Sequence, residues 1–148
     1  MKWLDLPPVW LAAFLAAAWG ISGVLPGLAV DAAWLRWLGA MLVGAGLGLM
    51  MLAVLQMAKH RTTVIPHRQP TALVSTGVFR ISRNPIYLGD ALILTGTILW
   101  WGAVAALPLV VGFIWLISLR FISPEEARLR AGFGEDFADW SERTRRWL

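Results

Sequence analysis

The sequence predicts an all-α integral membrane protein with four transmembrane helices, the last two forming a tight hairpin, followed by short amphipathic C-terminal helices. Three observations support this fold class. Of the 148 residues, 58% are hydrophobic and only 15% are charged, which is too apolar for a soluble domain of this length. Three long runs carry no charge, and eleven of the thirteen Lys and Arg residues lie in the segments 59–83 and 120–146. We expect one membrane domain over residues 1–148.

The first two charge-free runs predict the spans 8–25 and 37–58. Leu6–Val30 has 25 residues and Trp37–Ala58 has 22, and about 20 helical residues cross a hydrocarbon core. The first run is longer than a signal peptide and lacks a fitting small-residue cleavage site, so we interpret it as a retained span. Trp34 and Trp37 would anchor the second span at an interface.

The third run predicts two helices. Ala91–Leu119 has 29 residues, which would form a helix of about 44 Å, well beyond a core of about 30 Å. Asn84 as N-cap and Pro85 at the first helical position would begin a helix before the run, and Trp100-Trp101-Gly102 would form the turn. Basic segments flank the run on both sides, so the chain should return to the side it left. The hairpin then consists of spans 85–101 and 103–121.

The C-terminal segment predicts amphipathic helices over residues 124–147. Ser123-Pro124-Glu125-Glu126 has the spacing of a capping box, which predicts a new helix there. Gly132 and Gly134 should break it before a second helix that lies along the membrane surface. The positive-inside bias puts both basic segments, and hence both termini, in the cytoplasm of an inner or plasma membrane.

Two polar groups of residues flank the hairpin. Arg83-Asn84-Pro85-x-Tyr87-x-Gly89 lies at its start, and Glu125-Glu126 follows its end. A helix start, an interfacial Tyr and helix-capping carboxylates explain both structurally. Asp90 indicates a functional role beyond this structural explanation, because an ionisable group inside a span is costly and usually faces a ligand, a partner or a cavity.

This pattern resembles the integral-membrane methyltransferases of the isoprenylcysteine carboxyl methyltransferase and phospholipid N-methyltransferase superfamily. Those enzymes have an Arg-(His/Asn)-Pro-x-Tyr-x-Gly motif before such a hairpin and Glu-Glu after it. The resemblance extends over roughly residues 60–146 and includes Leu73–Arg80, Phe133-Gly134 and Arg145-Arg146-Trp147. It implies methyl transfer from S-adenosylmethionine to a lipophilic acceptor at the cytoplasmic membrane face: an isoprenylcysteine-like carboxylate, a phospholipid amine or a small lipophilic thiol.

The resemblance also implies the site residues. We expect cofactor contacts from a set contributed by both groups of residues: Arg83, Asn84, Tyr87, Leu88, Gly89, Glu125 and Glu126. Arg83 and Arg120 are candidates for orienting a carboxylate or phosphate on the acceptor, and His67 for a general base or headgroup contact. Because Asn84 stands where many relatives have His, we assign it no proton transfer. The oligomeric state is not indicated.

Other classes of function are less well supported. A small membrane scaffold or lipid-headgroup-binding protein is the alternative, since a basic loop and an aromatic tail need no catalytic pocket. We expect no nucleic-acid partner, because six acidic residues balance the basic tail. His60 and His67 are a poor basis for a metal site, and we expect none. Gly44-x-Gly46-x-Gly48 lies within a span and predicts helix packing rather than dinucleotide binding.

Overall fold

The computed structural model describes residues 5–62 and 71–148, and its elements there are helical, without a strand. The α-helices are α1 (Pro7–Val24), α2 (Ala33–Lys59), α3 (Pro85–Trp100), α4 (Pro108–Ile117) and α5 (Ser123–Arg143). A π-helix, Ser118–Ile122, joins α4 to α5, and short 3-10 turns occupy Pro26–Leu28, Gly77–Arg80 and Val104–Ala106. The predicted all-α class is confirmed.

Three helical stretches are long and apolar enough to cross a membrane: Pro7–Val24, Ala33–Lys59 and Val104–Arg143. The shorter α3 is also apolar, with 16 residues. Large apolar side chains cover the outside of these helices; Trp34 and Trp37, for example, are 66% and 72% exposed. The chain is therefore an integral membrane protein. The count of four spans and their hairpin remain predictions.

Local sequence rules fix both ends of α3. The helix begins at Pro85 with Asn84 at the N-cap position, although the Asn84 side chain makes no capping hydrogen bond. Beyond its end, Gly102 has φ +66°, a conformation that glycine adopts without steric cost. The Gly102 carbonyl accepts a hydrogen bond of 2.9 Å from Val30 N. The segment after α1 and the turn after α3 therefore lie at the same end of the bundle.

Glycines bring α2 and α3 into backbone contact. A Cβ added at Gly39 would lie 2.5 Å from the Gly96 carbonyl oxygen, and one added at Gly46 would lie 2.7 Å from that of Gly89. The two pairs are seven residues apart on each helix, so they lie on one face of each. Of the three glycines predicted to serve helix packing, only Gly46 does so, because Gly44 and Gly48 face open space.

The predicted role of Ser123 as an N-cap is wrong, because α5 continues directly from the preceding π-helix. Ser123 has helical angles (φ −61°, ψ −44°), and its Oγ donates to the carbonyl of Ser118 at 2.9 Å instead of capping α5. Pro124 lacks an N–H and would clash with the carbonyl four residues earlier. The π-helical turn Ser118–Ile122 widens the backbone immediately before this proline and lets the helix continue.

The break at Gly134 occurs as predicted, with φ 50° and ψ −117° inside α5. Gly132 stays helical, and α5 ends at Arg143 instead of reaching 147. The second half of α5 packs by Phe137 and Trp140 against a small core that includes Ala53, Val74 and Phe79. A larger core lies between α1, α3 and α4 and includes a set of fully buried side chains: Leu94, Ile98, Phe113 and Ile117.

Candidate functional site

The C-terminal residues hold the turn that precedes α3. The backbone N–H of Arg83 donates to the carbonyl of Arg145 at 3.0 Å. The carbonyl of Arg146 accepts two further hydrogen bonds, from Asn84 Nδ2 at 2.9 Å and from Ser82 Oγ at 3.3 Å. Ser82 Oγ also accepts from the backbone N–H of Asn84 at 3.1 Å. Residues more than sixty positions apart thus form one folded unit.

A hydrogen bond joins the two groups of residues that flank α3 and α4. The Tyr87 hydroxyl, in the first turn of α3, donates to Glu125 Oε2 at 3.1 Å, in the first turn of α5. The Tyr87 side chain is buried in the larger core, and its ring centre lies 6.3 Å from that of Phe121. The carboxylate of Glu125 is therefore held at the edge of the core by a side chain that cannot easily move.

Glu126 binds two arginines. Its Oε1 lies 3.3 Å from Arg83 Nη2, while Arg146 donates to both carboxylate oxygens, from Nε at 3.1 Å and from Nη2 at 2.5 Å. The Arg83 and Glu126 side chains are only 14% and 13% exposed. Burial lowers the pKa of the Arg83 guanidinium, and the neighbouring Glu126 carboxylate opposes this effect. Glu126 thus links α5 both to Arg83, in the turn before α3, and to Arg146, in the C-terminal segment that holds this turn.

Positive charge exceeds negative charge around these carboxylates. Arg83 and Arg130 lie over the Phe137 ring, 6.0 Å and 5.7 Å from its centre. The buried Nε atoms of Arg83 and Arg128 make no hydrogen bond within the part of the chain that the structure describes. Unpaired guanidinium N–H groups are the donors that carboxylates and phosphates bind best. The site can therefore hold an anionic group beside its own glutamates.

Aromatic side chains cover the site. Phe137 is fully buried, and the Trp140 indole N–H donates to the carbonyl of Phe79 at 3.1 Å. The Trp147 indole N–H donates to Ser118 Oγ, also at 3.1 Å, and its ring packs against the larger core. These contacts fix the second half of α5 and the C-terminus over the start of α3, where an apolar cover can limit access of water.

The remaining predicted site residues lie elsewhere or have other contacts. Arg120 is bound to Asp5 at 2.5 Å and lies 5.9 Å from the Trp10 ring centre, so it links α1 to the end of α4. Leu88 is buried, and Gly89 is packed against α2. His67 lies outside the described residues.

Sequence reasoning did not assign Ser82 or Arg146 to the site. Ser82 carried a usable signal, since a Ser two residues before an Asn commonly forms a side-chain-to-backbone turn. The resemblance included Arg145-Arg146-Trp147, but the contact of Arg146 with Glu126 depends on the tertiary fold and could not be read from this motif.

Comparison with known protein families gives one decisive match. The family model described as phospholipid methyltransferase matches residues 34–136, more than two thirds of the chain. The chain belongs to this family. As a member of the phospholipid methyltransferase family it is an integral-membrane methyltransferase, and the matched region contains all of α2 except Ala33, α3, α4 and both groups of site residues. Comparisons with curated proteins and with solved structures give no match.

Proposed function

We propose that this phospholipid methyltransferase family member transfers a methyl group from S-adenosylmethionine to a lipophilic acceptor at the cytoplasmic membrane face. The Tyr87–Glu125 hydrogen bond carries the proposal. It connects the motif at the start of α3 with the glutamates after α4, so that side chains nearly forty residues apart in sequence meet at one site. A purely helix-capping role for Glu125 would need no such partner.

The residues present suit S-adenosylmethionine chemically. A carboxylate such as Glu125 can accept hydrogen bonds from ribose hydroxyls or from an amino group. The buried Nε atoms of Arg83 and Arg128 can donate to a carboxylate. Asn84, Leu88 and Gly89 complete the proposed set by shaping the backbone at the start of α3.

The chain's part in catalysis would be positioning and exclusion of water. When bound, S-adenosylmethionine supplies an activated methyl group, which needs neither a metal nor a covalent enzyme intermediate. Holding donor and acceptor aligned can supply roughly 7–11 kcal/mol of the barrier. Tyr87 orients Glu125, Glu126 locks Arg83 in place, and the aromatic cover keeps water from the reacting groups. His67 and Arg120 are proposed as acceptor contacts, Arg120 at the membrane surface.

We further propose four spans, with α3 and α4 as a hairpin and both termini in the cytoplasm. The Val30–Gly102 hydrogen bond at one end of the bundle and the Asp5–Arg120 ion pair at the other support this arrangement. The native chain has no cysteine, so single cysteines can be introduced at the exposed positions Ala29, Arg80 and Glu142. Arg80→Cys and Glu142→Cys should be labelled from the cytoplasmic side and Ala29→Cys from the other. Labelling of all three from one side would contradict the topology.

Calorimetric titration of the detergent-solubilised protein with S-adenosylhomocysteine tests the proposal against its alternative. We expect saturable binding at one site per chain. A membrane scaffold or headgroup-binding protein would give no heat of binding beyond dilution, and that result would reject the methyltransferase site. Labelled methyl donor, supplied with one acceptor headgroup carrying either a long or a short alkyl chain, tests the lipophilic acceptor. Equal rates for the two acceptors would contradict entry from the bilayer.

A further inference from the structure

Asp90 is a buried carboxyl group for which the described part of the fold offers no structural reason. It lies on α3, one turn after Tyr87, and is 2% exposed. Its Oδ2 atom makes no hydrogen bond to any described residue, and none of the ion pairs among those residues includes it. An unpaired buried carboxylate is among the costliest groups a fold can contain. The presence of this carboxylate inside the bundle therefore indicates a function that outweighs its cost in folding free energy.

The surroundings of Asp90 are apolar on its own helix. Gly89 and Ala91 are buried on either side, and Tyr87 and Leu94, one turn away in each direction, belong to the larger core. Residues three apart share a face of an α-helix, so Asp90 lies on the same side of α3 as Tyr87. At about 1.5 Å per residue, its Cα lies about 4.5 Å further along the axis of α3 than the Cα of Tyr87.

We propose that Asp90 is a catalytic residue that accepts the proton of the methyl acceptor, which makes the acceptor a lipophilic group whose nucleophilic atom carries a proton. This inference rests on the proposed function. Asp90 takes the proton from an ammonium N–H or a thiol S–H and becomes a neutral carboxylic acid. The lone pair set free on nitrogen or sulfur forms the bond to the methyl carbon. The carbon–sulfur bond of the sulfonium breaks, and its electron pair stays on that sulfur.

The same carboxylate disfavours a carboxylate acceptor. Such an acceptor is already deprotonated at neutral pH and needs no base, and it would bring a second negative charge beside Asp90 in a poorly solvated place. Two like charges there raise the free energy of the bound state. An acceptor that brings a proton instead supplies the missing partner of Oδ2. Asp90 therefore selects amines or thiols over carboxylates.

The variant Asp90→Asn keeps the shape of the side chain and removes the carboxylate that accepts the proton. In the full-length protein we expect an unchanged or higher melting temperature, because an unpaired buried charge is lost, and an unchanged affinity for S-adenosylhomocysteine. Methylation of dodecylamine or dodecanethiol should fall by about 100-fold or more, as on loss of a general base. Thr95→Val is the matched control on α3, since among the described residues the Thr95 hydroxyl bonds only its own helix, to the carbonyl of Ala91. It should leave all three readouts unchanged.

The unmodified protein provides a second measurement that does not depend on the variant's folding. With dodecylamine, dodecanethiol and dodecanoate below their micelle concentrations, the amine or the thiol should be methylated and dodecanoate should be the poorest acceptor. A lower melting temperature of Asp90→Asn, its undiminished turnover, preference for dodecanoate, or no methylation of any probe would each overturn the role of Asp90. A wild-type protein that fails to bind S-adenosylhomocysteine would overturn the proposed function and this inference with it.

Discussion

The α2–α3 interface and the junction at the start of α5 hold the protein together by different means. Between α2 and α3, glycine faces bring backbone against backbone at Gly39–Gly96 and Gly46–Gly89. The polar junction, formed by the turn Ser82–Asn84, Glu125-Glu126 and the C-terminal residues 144–147, relies on hydrogen bonds and ion pairs between residues far apart in sequence.

The difference teaches which kind of change each region tolerates. In a bilayer, lipid tails are as apolar as the helix surfaces, so close contact between small residues stabilises helix packing more than hydrophobicity does. The α2–α3 interface should therefore respond to volume and not to salt. We propose that the polar junction lies at the membrane surface, where hydrogen-bond geometry and charge matter more than volume. A substitution that alters only side-chain volume, or only charge, should therefore affect the stability of one region more than that of the other.

The largest effect should come from adding volume at Gly39. Gly39→Leu cannot be accommodated, because even a Cβ would lie 2.5 Å from the Gly96 carbonyl oxygen and 2.6 Å from Trp100 N. We expect a loss of about 3 kcal/mol or more in free energy of unfolding, measured by denaturation in detergent. Gly44→Leu is the control, since Gly44 faces open space on the same helix, and it should cost little. Equal losses in the two variants would show that the glycine contacts do not determine stability.

A smaller effect should follow from removing charge at Glu126. Glu126→Gln leaves Arg83 and Arg146 without their carboxylate, and we expect a loss of about 1.5–3 kcal/mol, the range for hydrogen bonds to charged groups. The loss should shrink in high salt, in contrast to that of Gly39→Leu. Glu142→Gln, at an exposed position, serves as the control and should stay within about 0.5 kcal/mol of the parent. A salt-independent loss at Glu126 would contradict the electrostatic account.

The smallest effect should come from Asn84→Ala. This change removes the hydrogen bond from Nδ2 to the Arg146 carbonyl, and we expect a loss of about 1 kcal/mol. Because one of the hydrogen bonds that hold the C-terminal residues is lost, protection of the Trp147 indole from hydrogen exchange should also fall. Wild-type protection of Trp147 in the variant would show that the Asn84 hydrogen bond does not help to hold the C-terminal residues.

The elements that could be predicted from sequence are those that local rules determine. Pro85 fixes the start of α3, Gly102 the turn after it, and Gly134 the break in α5. The continuity of the helix through Ser123 could not be predicted, because a π-helical turn allows Pro124 to follow α4 without a new start. Nothing local indicated it.

The candidate site could be predicted only in part. The resemblance named Tyr87, Glu125 and Glu126, which the fold brings to one place. It could not indicate that Arg146 binds Glu126 or that Arg120 binds Asp5, because these partners are 20 and 115 residues apart. Charge pairs over such distances depend on how the bundle folds and not on any sequence pattern.

We propose that Tyr87 and Glu125 act as one unit in binding the methyl donor. A double-mutant cycle on S-adenosylhomocysteine affinity tests it most directly, with Tyr87→Phe, Glu125→Gln and the double variant measured by calorimetry. Tyr87→Phe should weaken binding because Glu125 loses its hydrogen-bond donor, and it should have no further effect once Glu125 is replaced. Additive losses, or unchanged affinity in both single variants, would contradict the claim.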